Sequence, residues 1–201
     1  MRFAVGTDHD TQLIEPAPLS DPIFDLPADL KDAKIINAAC GRSHTLLVTA
    51  SGQCFASGAN AYGACGHDSG GKEVWSFKLV QGLAKEKVVK ASAGVQFSVV
   101  LCESGKVYSF GCPEKGQLGH GKVCFHPFDQ KKKTVTDEVW QNGEYIRANR
   151  VNFEAETAPI LLKGALEGKK IVDISCGQQH TLALDKDGYV YSFGHGGLGR
   201  L

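Results

Sequence analysis

Apolar residues fall in short runs whose order recurs along the chain. The first set reads "KIINAACG" (34–41), "HTLLVTA" (44–50) and "QCFASG" (53–58). The second reads "KVVKASAG" (87–94), "FSVVLCE" (97–103) and "KVYSFG" (106–111). The third reads "KIVDISCG" (170–177), "HTLALDK" (180–186) and "YVYSFG" (189–194). Runs this short, rich in β-branched and aromatic residues and broken by glycine, predict strands. Three short antiparallel strands follow for each copy, with a fourth in the tail, and little or no long helix.

The glycines confirm that the copies are one repeat. With Gly41, Gly94 and Gly177 as origins, further glycines fall at an offset of 11 (Gly52, Gly105, Gly188), of 17 (Gly58, Gly111, Gly194) and of 22 (Gly63, Gly116, Gly199). A fixed register interleaved with matching apolar positions is an internal repeat. The offset-11 glycine follows "AS", "ES" or "KD" and sits where a tight hairpin needs a positive φ. Small sheets repeated every ~40–50 residues are the units of β-propellers. The expected fold is therefore all-β: a partial propeller of about three blades in an open arc. Its parts are the tail of a preceding unit (1–33), a repeat (34–86), a second repeat (87–121), an insertion (122–158) and a truncated repeat (159–201).

Composition narrows the function. Lys and Arg number 22 against 22 Asp and Glu, so no global field draws the chain to nucleic acid or to an anionic membrane. No run reaches the ~18 apolar residues of a spanning helix, and "MRFAVGTDHD" carries charges where a signal peptide needs an apolar stretch. Seven cysteines, none in a CxxC pair, fit reduced thiols inside the cell.

"CGRSHTLLVTASG" and "SFGCPEKGQLGHG" resemble the repeat of the regulator of chromosome condensation family, whose units read roughly C-G-x-x-H-T and then W-G-x-x-x-x-G-Q-L-G. Phe110 stands where the family usually has Trp, and the likeness covers 30–121 and 159–201 but not 123–158. The resemblance implies a seven-bladed propeller that binds small GTPases through one face, at chromosomes in the nucleus and in the cytoplasm. Its founding member exchanges guanine nucleotide on chromatin. The last copy ends inside its motif, and 1–30 look like the tail of an earlier unit, so the sequence reads as part of a longer propeller. Alternatives are an active exchange factor, a ubiquitin-ligase-type repeat module, and a light receptor. The light receptor is disfavoured because Ser57, Phe110 and Phe193 occupy the Trp position.

Candidate chemistry mostly dissolves into structure. "GCPEKGQLGHG" lacks the G-K-[ST] ending of a phosphate loop. His44 and His180 share a repeat position with Phe97, which can neither ligate nor transfer a proton, so the site reads as core. Cys40 and Cys176 align with Ala93, so small volume explains them. His67, His120, His126 and His195 lack zinc spacing. His67 and His120 align on one propeller edge, where a partner contact and a solvated loop are equally open. No G-x-S-x-G elbow and no repeated acidic pair is present, so no catalytic, metal or cofactor residue is expected and the chain reads as a protein-binding scaffold.

One segment stands outside the repeat. Residues 122–158 lengthen a connection by about thirty residues, and "TVTDEVW" and "EYIRANRVNF" flank "QNGE", a strong hairpin signal. A β-hairpin turning at Asn142-Gly143 is expected, presenting Trp140, Tyr145, Arg147 and Arg150, with Lys131, Lys132 and Lys133 at its base. Such aromatic and Arg residues suit a partner contact.

Overall fold

The structure, a computed structural model, describes residues 26–68, 73–121, 135–141, 144–150 and 155–201. Its strands are β1 (Ile35–Cys40), β2 (His44–Thr49), β3 (Cys54–Gly58), β4 (Val74–Leu79), β5 (Val88–Ala93), β6 (Phe97–Cys102), β7 (Val107–Gly111), β8 (Val135–Gln141), β9 (Glu144–Arg150), β10 (Glu156–Leu161), β11 (Ile171–Cys176), β12 (His180–Asp185) and β13 (Val190–Gly194). The helical pieces are short: α1 (Ala28–Lys31) and 3-10 turns at Gln81–Leu83, Gly164–Leu166 and Gly197–Gly199. Among the described residues no helix is long and apolar enough to cross a membrane.

Three antiparallel sheets follow the repeat: β1-β2-β3-β4, β5-β6-β7-β10 and β11-β12-β13. The fold is all-β, as expected. Each inner strand slips register at the same place, between Ile35 and Asn37, Val88 and Lys90, and Ile171 and Asp173, which bends it and raises its twist. The inner strands lie side by side, β1 against β5 and β5 against β11.

The second sheet departs from the expected boundaries. Its fourth strand is β10, with Leu161 opposite Tyr108 and Glu156 opposite Gly111. The long segment is therefore inserted between the third and fourth strands of one sheet, and does not lengthen a connection between repeats. A boundary at 158/159 would cut through β10.

The core lies between sheets. Leu46, Val48, Cys54 and Ala56 of the first pack on Val100, Cys102 and Phe110 of the second. Phe97, Val99, Leu101 and Leu118 of the second pack on Ile171, Ile174 and Ala183 of the third. Leu26 and Leu30, from the segment before β1, cover Leu47 and Phe55 on the first sheet's other face. Two kinds of glycine make this close stacking possible. At the hairpins, Gly52, Gly105 and Gly188 take φ of +89°, +85° and +89°, a region closed to most side chains. At the origins, a Cβ on Gly41, Gly94 or Gly177 would lie 2.1, 1.9 or 2.0 Å from the ring of His44, Phe97 or His180, so each ring lies flat on bare backbone.

Candidate protein-interaction surface

The repeated histidine position is structural. His44 is buried, and its Nε2 lies 3.0 Å from Ser98 Oγ in the next sheet. Ser98 in turn donates to the Ala64 carbonyl at 2.7 Å. Thr181, the counterpart of Ser98, donates to the Gln117 carbonyl, the counterpart of Ala64, at 2.9 Å. The second and third sheets thus each stitch an offset-4 hydroxyl onto the offset-23 carbonyl of the sheet before. Burial lowers the His44 pKa to about 4, partly offset by a hydrogen bond to the Phe97 backbone, so the ring is neutral at physiological pH. The hydroxyl stitch was missed in the sequence, although Thr45, Ser98 and Thr181 are aligned there.

His67, His120 and the thiols of Cys54, Cys65 and Cys102 are turned into the fold, whereas Cys40 is exposed. His120 is not a solvated loop residue: its side chain is 7% exposed, its Nε2 lies 2.8 Å from Ser109 Oγ, and Nδ1 lies 3.9 Å from Glu156. His67 is half-buried, with its pKa lowered by burial, and its carbonyl accepts from Asn60 Nδ2 at 2.7 Å. Burial pushes the Cys54, Cys65 and Cys102 thiols up to about 12. Among the described residues no group of three or more His, Cys, Asp or Glu could hold a metal ion. A cleft of about 220 Å³ opens between the first two sheets, with Arg42, Ser43, Tyr62 and Gln96 at its rim.

The expected hairpin is present as a two-stranded sheet of β8 and β9. Trp140 lies opposite Tyr145, Glu138 opposite Arg147, and Val135 opposite Arg150, with Gln141 and Glu144 flanking the connection. Strand alternation then puts positions 140, 145 and 147 on one face of the ribbon and 150 on the other. Lys131, Lys132, Lys133, Asn142 and Gly143 lie outside the described residues.

The repeat units match a known description. Models of the regulator of chromosome condensation (RCC1) repeat fit residues 35–64, 88–117 and 171–200, and a second model of that repeat fits 51–101 and 104–136. The chain belongs to the RCC1 repeat family. Among RCC1-repeat proteins it is 34% identical to Protein RCC2 homolog of Danio rerio over 184 residues, covering 86% of this chain and 33% of the relative. It is 35% identical to the Homo sapiens E3 ubiquitin-protein ligase HERC2 over 171 residues, covering 84% of this chain and 3% of that one. The crystal structure of Prp20p from Saccharomyces cerevisiae shares the fold, with a TM-score of 0.56, 24% identity, and coverage of 85% of this chain and 34% of that one. The chain spans about a third of the length of the RCC2 relatives it matches.

Proposed function

We propose that the chain is a protein-binding propeller module of a small-GTPase-linked regulator that acts at chromosomes during mitosis, in nucleus and cytoplasm, and that the β8–β9 ribbon is its partner contact. The observation that carries this reading is the ribbon's insertion inside one blade of an otherwise regular RCC1 repeat. Segments of this length in compact domains are usually functional or disordered, and a paired ribbon argues for the former. Trp140, Tyr145, Arg147 and Arg150 are of the types that dominate interface energetics, and Lys131, Lys132 and Lys133 add positive charge at the base. Prp20p has binding properties toward Gsp1p and histones, which supports a protein partner of that kind here.

Such a role needs no bond-making residue. A surface that binds a nucleotide-free GTPase better than a loaded one shifts the equilibrium toward release. Whether this chain exchanges nucleotide is separable from whether it binds: accelerated nucleotide release from a purified GTPase would make it an exchange factor. The likeness to HERC2 favours a second reading, a repeat module that brings substrates to a ubiquitin ligase.

The test replaces residues 130–153 with a short Gly-Ser linker, which leaves β10 whole. Binding of purified small GTPases and of histones is then compared between the two chains. The expected result is a cooperative thermal unfolding transition kept by the remaining sheets, with binding lost. Unchanged binding removes the ribbon from the reading.

A further inference from the structure

The two joints between sheets share one plan but differ in how one turn is capped. In each, a hydroxyl of the following sheet bonds the carbonyl at offset 23, Ser98 to Ala64 and Thr181 to Gln117. The loops also meet alike, the Ala59 N–H donating to Ser43 O at 2.7 Å and the Cys112 N–H to Gln96 O at 2.9 Å. In the second sheet the offset-23 side chain has a task of its own. Gln117 is 4% exposed, and its Oε1 accepts the Lys115 N–H at 2.7 Å, which caps the turn after β7. In the first sheet Ala64 has no such oxygen. The Tyr62 N–H, counterpart of the Lys115 N–H, meets no acceptor among the described residues.

Space opens where the glutamine is missing. The cleft of about 220 Å³ between the first two sheets is lined by Ala64 and Tyr62 together with Arg42, Ser43, His44 and Gln96. It is smaller than the ~300–1,000 Å³ of sites that hold whole small molecules, so it suits a single side chain. Arg42 is exposed and supplies the formal charge of the cleft, since no acid lines it and His44, lowered by burial to a pKa of about 4, is neutral. The charge is particular to this joint, because Val95 and Gln178 hold the Arg42 position in the other copies. Ser43 and Gln96 bring a hydroxyl and an amide donor to the rim.

The first joint lacks one acceptor oxygen on a flexible stem, and it holds a guanidinium that the second joint does not. A glutamate has the stem of glutamine with an oxygen in the same place, and its charge makes bonds to an N–H and a guanidinium roughly twice as strong as neutral ones. We infer that this cleft receives a glutamate side chain of a partner polypeptide, its carboxylate accepting from the Tyr62 N–H as Gln117 Oε1 does from Lys115 and pairing with Arg42. A phosphate group, at about −1.5 to −2, brings more charge than one guanidinium neutralises. The cleft lies at the end of the sheets from which the insertion leaves β7, where Cys112 meets Gln96. Its chemistry is independent of what the ribbon binds.

The test is amide NMR of the 201-residue chain titrated with N-acetyl-glutamate methylamide, beside the matching glutamine derivative and inorganic phosphate. Arg42→Gln and Ala64→Gln are titrated in the same way. Glutamine already stands at these repeat positions as Gln178 and Gln117, so the sheets stay folded, which the dispersion of the other amide signals checks. The expected result is a saturable downfield shift of the Tyr62 amide proton with the glutamate derivative alone. Binding should be at least tenfold weaker in Arg42→Gln and absent in Ala64→Gln, whose own side chain takes the cleft. No saturable shift of Tyr62 in the wild type, equal binding of the glutamine derivative or of phosphate, or an affinity unchanged in either variant overturns the inference.

Discussion

His44→Phe should remove a defined part of the acid sensitivity of this fold. Phenylalanine already occupies the equivalent position as Phe97, so the ring has a precedent against a bare glycine, and Ser98 keeps its bond to the Ala64 carbonyl. In the folded chain burial holds His44 at a pKa of about 4, against 6.5 ordinarily. Between these values the unfolded chain binds a proton at His44 that the folded chain does not. Stability therefore rises with pH there: the contribution is complete above 6.5 and is lost as pH falls toward 4. At about 1.4 kcal/mol for each pH unit, moving from about pH 7.5 to about pH 5 costs about 2 kcal/mol at this one site. For a chain of this size that is a drop in Tm of about 4–8 °C. Urea unfolding of both proteins at the two pH values measures it as a difference, which cancels other titrating groups. The wild type should lose about 2 kcal/mol more than the variant. Equal losses would refute the placement of a neutral, buried imidazole at this joint.

Other expectations follow from the same geometry. Gly94→Ala should cost more than about 3 kcal/mol, because the new Cβ lies 1.9 Å from the fully buried Phe97 ring. Gly116→Ala, at φ +76° with no atom within 4 Å, should cost only about 1–2 kcal/mol of backbone strain, and equal melting shifts would contradict the register. Cys176→Ala should stay within about 1 kcal/mol of wild type by calorimetry, since Ala93 fills the same position. Alkylation at about pH 8 followed by peptide mass mapping should label exposed Cys40 well before Cys54, Cys65 and Cys102, whose buried thiols titrate at about 12.

The three-sheet architecture was legible because its requirements are local. A hairpin glycine at φ near +89° is strained by most side chains and a glycine under an aromatic ring leaves no room for one, so the register is written in the glycines themselves. The ribbon was legible for the same reason, since alternating strands around Asn-Gly are a short-range signal. What escaped was non-local. β10 follows the ribbon, carries Pro159, and pairs with β7 across the whole insertion, so nothing in "ETAPIL" alone marks it as the fourth strand of the second sheet. The Ser98 stitch joins residues in different repeats, and single-repeat reading sees only a hydroxyl beside an apolar run. His120 sits in sequence like a loop residue, yet Ser109 holds it inward.

The proposed function is tested most directly by the affinity of the chain for purified small GTPases, nucleotide-free and GTP-loaded, measured beside a Trp140→Ala/Arg147→Glu double variant. Both substitutions fall on one face of the ribbon. The account predicts tighter binding of the nucleotide-free form and at least a tenfold loss in the variant, about 1.4 kcal/mol. Equal affinity of the variant and the wild type, or no binding of any GTPase by the wild type, would contradict it.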